Sequence, residues 1–210
     1  MIWIVLGLVI MIAGLAILHS RVKAWNAAVT FPEFLESVSI AADEAESAYV
    51  AQVNMLSGNR NEASPKGIAL ARFLAAGFPS AAAGGLSVSN KLHNRFAASA
   101  PVRGTEFLQL ASGLAIKGMK LSQQDSDTVK EDANVAAKTY VKFFNNFVED
   151  PVSNMQRGII ELAPLWERAL EHSLGKGKFE TQTTQYVTSG LALFLEWVRV
   201  LAKSGPASLS

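Results

Sequence analysis

The sequence predicts an all-α protein in which one N-terminal transmembrane helix precedes a bundle of about six helices. Residues 2–18 form a run of seventeen consecutive apolar residues, near the minimum that spans a bilayer core. Beyond that run, apolar residues recur at steps of three and four, and no long alternation of the kind expected for a strand occurs. We therefore expect an anchor over residues 1–25, a helical domain over 26–204 and a flexible tail over 205–210.

Composition excludes several classes of protein. With 50% hydrophobic and 18% charged residues, the chain is too apolar to be disordered and too charged to be a multi-span membrane protein. The absence of cysteine excludes disulfide frameworks, thiolate metal sites and thiol nucleophiles. A net charge of +1 gives no general attraction to nucleic acid, which we do not expect as a partner.

Both ends of the apolar run carry residues typical of membrane interfaces. Trp3 and Trp25 lie 22 positions apart, which is about 33 Å along a helix. Arg21 and Lys23 precede the second tryptophan, where basic side chains can reach lipid head groups. Because these charges follow the run, the positive-inside rule predicts a single-pass protein with its helical domain in the cytoplasm.

A cleaved signal peptide is the alternative interpretation of this segment, with a cut after residues 22–24. A signal peptide carries its positive charge ahead of the apolar run, whereas only Met1 stands there. The sequence therefore favours a retained anchor.

The first two helices of the domain have clear start signals. Thr30 and Glu33 form a capping box, and a seam of apolar residues follows to a predicted end near residues 57–59. That seam comprises Phe34, Val38, Ala41, Ala45, Tyr49, Gln52 or Val53, and Leu56. Ser64 and Pro65 begin the second helix, which Gly77 and Pro79 are expected to end before a loop or loosely packed connector over residues 80–90.

Later helices follow from the same patterns. After short helices over residues 91–98 and 105–121, a capping box of Thr128 and Glu131 opens a long helix whose seam needs a partner, internal or in another molecule. The seam comprises Val129, Ala133, Ala136, Tyr140, Phe143 and Phe147. Asp150 and Pro151 begin a further helix. The last helix, over residues 181–203, is apolar on nearly all sides, which predicts that it is the centre of the bundle rather than a second span.

One basic segment is a candidate contact surface. No acidic residue occurs between Glu62 and Glu106, and this stretch is a candidate contact for anionic lipid or a partner protein. The candidate residues are Lys66, Arg72, Lys91, His93, Arg95 and Arg103. The alternative, which the charge pattern favours, is that the segment docks on acidic residues 33–46 and 125–132 of the same chain.

A search for catalytic or metal-binding patterns identifies no convincing site. Glu-x-x-His, Walker and Gly-x-Ser-x-Gly patterns are all absent. Glu167, Glu171 and His172 fit an exposed helix end, and the acid pairs at residues 43–44 and 131–132 fit solvated helix faces. We predict a non-enzymatic protein without metal or cofactor.

The leading hypothesis is a membrane-anchored structural, scaffold or assembly subunit of a membrane protein complex, with protein partners or self-association. One alternative is a membrane-active protein that binds anionic lipid through residues 65–103. Another is a helical sensor of a small ligand, which would require a cavity near Phe143, Phe194 and Trp197.

Overall fold

The computed structural model describes residues 31–58, 60, 62–88, 113–147 and 150–203, and these residues form an all-α bundle without strands. Its helices are α1 (Phe31–Leu56), α2 (Pro65–Val88), α3 (Gln123–Phe147), α4 (Pro151–Leu174) and α5 (Glu180–Lys203). Residues 113–115 are helical as well. The all-α prediction is confirmed.

The anchor and the tail predicted at the two termini lie outside the described residues, as do the predicted helix over residues 91–98 and most of that over 105–121. Within the ranges that the structure does cover, no helix combines the length and apolar character needed to cross a membrane.

Two predicted helix starts are confirmed by their capping bonds. The Gly67 amide donates to Ser64 Oγ over 3.1 Å at the start of α2. At the start of α4, the Ser153 amide donates to Asp150 Oδ1 over 3.2 Å. Hydrogen bonds from Ser153 favour the ionised carboxylate and hold the pKa of Asp150 below its usual value. Each side chain satisfies an amide that the helix itself leaves without a partner.

The start predicted for α3 is wrong by six residues, because the cap is Ser122 and not Thr128. The helix begins at Gln123, after Ser122, whose Oγ accepts from the Asp125 amide over 3.1 Å. Thr128 lies inside the helix, and its hydroxyl donates to the Gln124 carbonyl oxygen. A threonine can satisfy its hydroxyl within a helix, so the Thr-x-x-Glu pattern does not fix a boundary.

Helix α2, rather than the last helix, is the centre of the bundle. It contacts all four of the other long helices. Every residue from Ala69 to Ala83 is buried except Ala75, which is half-buried. The predicted end at Gly77 and Pro79 is wrong, as is the loop or connector predicted for residues 80–88, because the helix continues to Val88 with Pro79 inside it. Residues 89 and 90 lie outside the described residues. A helix surrounded on all sides gains enough from burial to accommodate residues that would end an exposed helix.

Small residues allow four helices to approach α2 closely. A methyl group added to Gly77 would overlap the Tyr140 ring of α3. One added to Gly67 would overlap the Tyr49 hydroxyl of α1. In the segment that resembled a loop in the sequence, Ala81, Ala82 and Ala83 are buried within the helix bundle.

A cluster of aromatic rings fills the bundle where α3 meets α2 and α5. Phe144 stacks on Phe194 with ring centroids 4.0 Å apart, and Phe78 packs against both Tyr140 and Phe144. All six residues of the predicted α3 seam are buried, which confirms the seam and shows that its partner is internal.

Candidate functional site

An open groove of about 550 Å³ runs between α1 and α5. We call it the α1/α5 groove. Its wall on α1 is formed by Ala41, Glu44, Ala45, Ala48, Gln52 and Met55. Its wall on α5 is formed by Gln185, Tyr186, Ser189, Gly190 and Leu193, and its floor by Ala75, Phe78 and Trp166.

The α1 wall has the periodicity of a helix-packing seam. Ala41, Ala45, Ala48, Gln52 and Met55 follow one another at steps of four, three, four and three. Such steps place side chains on one line along a helix. Met55 is 67% exposed, although its position continues this line. The line has the spacing of a helix–helix contact, and no described helix covers it.

The core-facing side of α1 lies beside this line. The buried residues are Phe34, Val38, Ala42, Ala45, Tyr49 and Val53. The predicted seam had included Ala41, Gln52 and Leu56. Ala41 and Gln52 are instead half-buried in the groove wall, and Leu56 is exposed. Two neighbouring apolar surfaces of α1 were thus combined into one in the sequence analysis.

Aromatic rings form the deepest part of the groove. Trp166 of α4 is buried and stacks on Tyr186 of α5, with centroids 4.6 Å apart and planes 4° apart. Burial, with a smaller contribution from nearby Tyr49, raises the pKa of Tyr186 to about 12. Tyr186 therefore presents a neutral phenol at physiological pH.

A ring contact joins α1 to α5 outside the set of residues that line the groove. Phe34 of α1 packs edge-to-face on Trp197 of α5, with centroids 5.6 Å apart. Gly190 brings α5 close to α2, because a methyl group there would overlap the Phe78 ring. These two contacts hold α1 against α5 and α5 against α2.

Three residues that line the groove each carry a hydrogen-bond acceptor without its usual partner. Glu44 is exposed and forms no ion pair with the described residues, and it is the only charged residue among those lining the groove. The buried Gln52 Oε1 accepts no hydrogen bond within the described part of the chain. The Ala75 carbonyl lacks its helical donor because residue 79 is proline.

The Trp166 indole N–H is also buried without an acceptor of good geometry in the described residues. It lies close to the Tyr140 hydroxyl, which itself donates to the Leu74 carbonyl oxygen. Burial raises the pKa of Tyr140, and the nearby indole opposes that shift only in part. The indole N–H is therefore directed toward the core, not toward an occupant of the groove.

A cavity was expected near Phe143, Phe194 and Trp197 if the protein bound a small ligand. Phe143 and Phe194 instead belong to the packed aromatic cluster and are buried. The open space lies on the other side of α5. Its alanine-rich α1 wall gave no sequence signal, because alanine is equally common on helix surfaces that contact nothing.

The structure places two residues of the basic segment in ion pairs within the chain. The Arg72 side chain is only 11% exposed and reaches Asp43 over 2.7 Å and Glu46 over 2.5 Å. Lys66 lies 3.8 Å from Asp125. These contacts are those expected if the segment docks on the acidic helices. Lys91, His93, Arg95 and Arg103 lie outside the described residues, as do Trp3, Arg21, Lys23 and Trp25.

The prediction that His172 lies at an exposed helix end is wrong, because its side chain is largely buried. Its side chain is 7% exposed, and Nε2 lies 2.6 Å from Asp132 Oδ2 of α3. Arg168 approaches the other oxygen of Asp132 over 3.4 Å. The expectation that residues 131–132 form a solvated face is therefore wrong for Asp132, which joins α3 to α4.

A buried polar network joins α1 to α4. The Tyr49 hydroxyl donates to the Ala169 carbonyl oxygen over 2.5 Å and lies 2.7 Å from Ser173 Oγ. Burial raises the pKa of Tyr49 to about 12, and the bond with Ser173 partly opposes the shift. Ser173 Oγ also accepts from the Ser64 amide over 2.9 Å.

Among the described residues, no group of three or more histidine, aspartate or glutamate side chains could hold a metal ion. No protein-family model matches the chain, and neither the curated proteins nor the solved structures contain a significant match to it.

Proposed function

We propose that the protein is a non-enzymatic, membrane-anchored assembly subunit that receives an α-helix of a partner protein in the α1/α5 groove. One observation carries this proposal: an uncovered line of residues on α1 has the spacing of a helix-packing seam, and α5 forms a second wall beside it. Helices commonly dock in apolar grooves through residues at such spacing.

The dimensions of the groove fit a helix better than a compact ligand. From Ala41 to Met55 the α1 wall extends over fourteen helical steps, or about 21 Å. A partner helix of about fourteen residues would cover this length. The small alanine side chains on α1 would let the backbone of the partner helix approach closely.

Another protein is the occupant we propose, rather than a second copy of this chain. The exposed large apolar residues on the other described helices are few and separated, namely Val135 on α3 and Val152 and Ile160 on α4. Exposed Gln156 and Arg157 lie between the last two. The exposed large apolar residues of these described helices therefore form no continuous line that would fill the groove of a second copy.

Membrane attachment is the part of the proposal that depends on sequence alone. The apolar run over residues 2–18 would hold the bundle at the membrane, with the domain in the cytoplasm. A fixed position beside the bilayer would favour capture of helices from membrane-associated partners.

Photo-crosslinking from inside the groove tests this function. A benzophenone amino acid replaces Ala48, on the groove wall, or Ser47, on the same turn but outside the groove, in full-length protein in its native membranes. We expect residue 48 alone to label a segment of another protein with apolar residues at steps of three and four. Ser189→Trp places a large ring inside the groove and should abolish that labelling. Thr188→Trp, its matched control outside the groove, should preserve it.

Labelling of this same chain from position 48, whether residues 1–30, residues 89–112 or a second copy, would contradict the proposal. Equal labelling from positions 47 and 48 would contradict it too, as would the absence of any labelled partner segment.

A further inference from the structure

We infer that the helix bound in the α1/α5 groove is basic, with a lysine or arginine facing Glu44 and a second hydrogen-bond donor about two turns away facing Gln52. This inference rests on the proposed function and specifies the chemistry of the partner. It follows from the electrostatics of α1 and from the acceptors that the groove leaves unpaired.

Helix α1 makes the groove negative. Its 26 residues contain five acidic residues and no lysine or arginine. Asp43 and Glu46 are engaged by Arg72 on the α2 side, whereas Glu44 lines the groove without a described ion-pair partner. A lysine or arginine on an occupant would supply the missing partner, and an acidic side chain there would be repelled.

The second contact follows from Gln52. An unpaired buried acceptor is costly, and rotation of this side chain would present Oε1 to a donor in the groove. Gln52 lies eight residues after Glu44, which is about 12 Å along α1. Donors seven or eight residues apart on a partner helix have the same separation, so both contacts can form together.

The middle of the interface is apolar. Ala45 and Ala48 lie between Glu44 and Gln52 along α1, and the apolar side chains of Leu193 and Phe78 line the same groove. Ala75 also lies in the floor, where its carbonyl lacks the helical donor that Pro79 cannot supply. A leucine-like anchor between two donor side chains is the pattern that complements this surface.

A pair of peptides tests the inference. Both are stapled fourteen-residue helices with the same leucine pattern, and they differ only in carrying lysine or glutamate at two positions seven residues apart. Binding to the full-length protein in detergent is measured by fluorescence anisotropy. We expect the lysine peptide to bind about three- to tenfold more tightly, as for partly exposed charge pairs that change from attraction to repulsion.

Two matched variants locate the effect. Glu44→Gln should reduce the preference for the lysine peptide to less than about twofold, because the groove loses its charge. Glu36→Gln removes the same charge from an exposed position of α1 outside the groove, and should leave the preference unchanged.

The possible outcomes distinguish failure of the inference alone from failure of the proposed function. If both peptides bind equally, the groove accepts helices but the basic-partner inference is overturned. If the preference survives in Glu44→Gln, Glu44 is not the recognition residue and the inference is likewise overturned. If neither peptide binds, the groove does not receive helices, and the proposed function fails together with the inference.

Discussion

The two sides of α5 differ in how completely the space beside them is filled. On one side, Phe194 stacks on Phe144 in the aromatic cluster. On the other, Tyr186 and Leu193 line an open groove. Apolar residues of α5 lie on both sides, so their presence alone does not distinguish the two. The size of the facing side chains does: phenylalanine rings from α3 reach α5, whereas the alanine side chains of α1 are too short to do so.

This comparison shows that a gap in a helical bundle can be a fixed feature of its sequence. Helix α1 cannot move toward α5 to close the groove without breaking contacts on its other side. Those contacts are the Tyr49 network with α4 and the ion pairs of Arg72 with Asp43 and Glu46. An open site held by polar contacts elsewhere is suited to binding.

The largest expected effect is on the free energy of unfolding, which should depend strongly on a residue of the filled side and hardly at all on one of the open side. Phe144→Ala should lower the free energy of unfolding by about 3–5 kcal/mol, because it leaves a cavity in the aromatic cluster. Ala48→Trp should change it by less than about 0.5 kcal/mol, because the ring enters open space. Thermal unfolding of the full chain in detergent, followed by circular dichroism, measures both.

In that experiment the melting temperature should fall by about 6–20 °C for the Phe144 variant and by under about 2 °C for the Ala48 variant. Equal losses in the two variants would show that the groove is packed in solution and would remove the basis of the comparison.

The next effect concerns alkaline pH. Tyr49, on the packed side of α1, has its pKa raised from 10.0 to about 12 by burial. Between these values the unfolded chain binds fewer protons than the folded one, so stability is complete below pH 10 and falls as the pH rises toward 12. The loss from Tyr49 alone should be about 2–3 kcal/mol.

Urea unfolding at pH 9 and at pH 11.5 measures this loss, and Tyr49→Phe should reduce its size. The control is tyrosinate absorbance at 295 nm. All three tyrosines of the chain have raised pKa values, so the folded protein should show little absorbance at pH 10.5, whereas the denatured protein should titrate near pH 10. Half-titration of the folded protein near pH 10 would contradict the burial of these phenols.

A smaller effect tests what holds α1 away from α5. Arg72→Met should cost about 1–3 kcal/mol of stability, because the buried Ala115 carbonyl loses its donor and two carboxylates lose their partner. Lys66→Met removes a longer and more exposed ion pair with Asp125, and should cost less than about 1 kcal/mol. Equal losses of unfolding free energy in urea titrations of the two variants would show that Arg72 does not stabilise the bundle more than Lys66 does.

Local signals were the part of this fold that the sequence could predict. The caps at Ser64 and Asp150 and the α3 seam from Val129 to Phe147 are found as expected, since each depends on residues within a few turns of one another. Pro79 shows where such reasoning fails. It resembled a helix end, but burial of α2 by four neighbours outweighs the local cost of proline.

The candidate site was predicted only in fragments. The sequence pairs acidic α1 with basic residues of α2, and Arg72 forms the predicted kind of contact with Asp43 and Glu46. Nothing in the pattern showed that Ala41, Ala48 and Met55 would line an open groove, since that depends on which helices become their neighbours. For the same reason His172 and Asp132, forty residues apart, could not be paired in advance.

The sequence by itself determined that the described domain is helical and which residues begin several of its helices, because helix formation and capping depend on near neighbours. Only the tertiary structure decided that α2 is the centre and that α1 and α5 enclose a groove. Those features depend on how side chains from distant positions fill the space between helices, and spacing along one helix carries no information about the size of the residues that will face it.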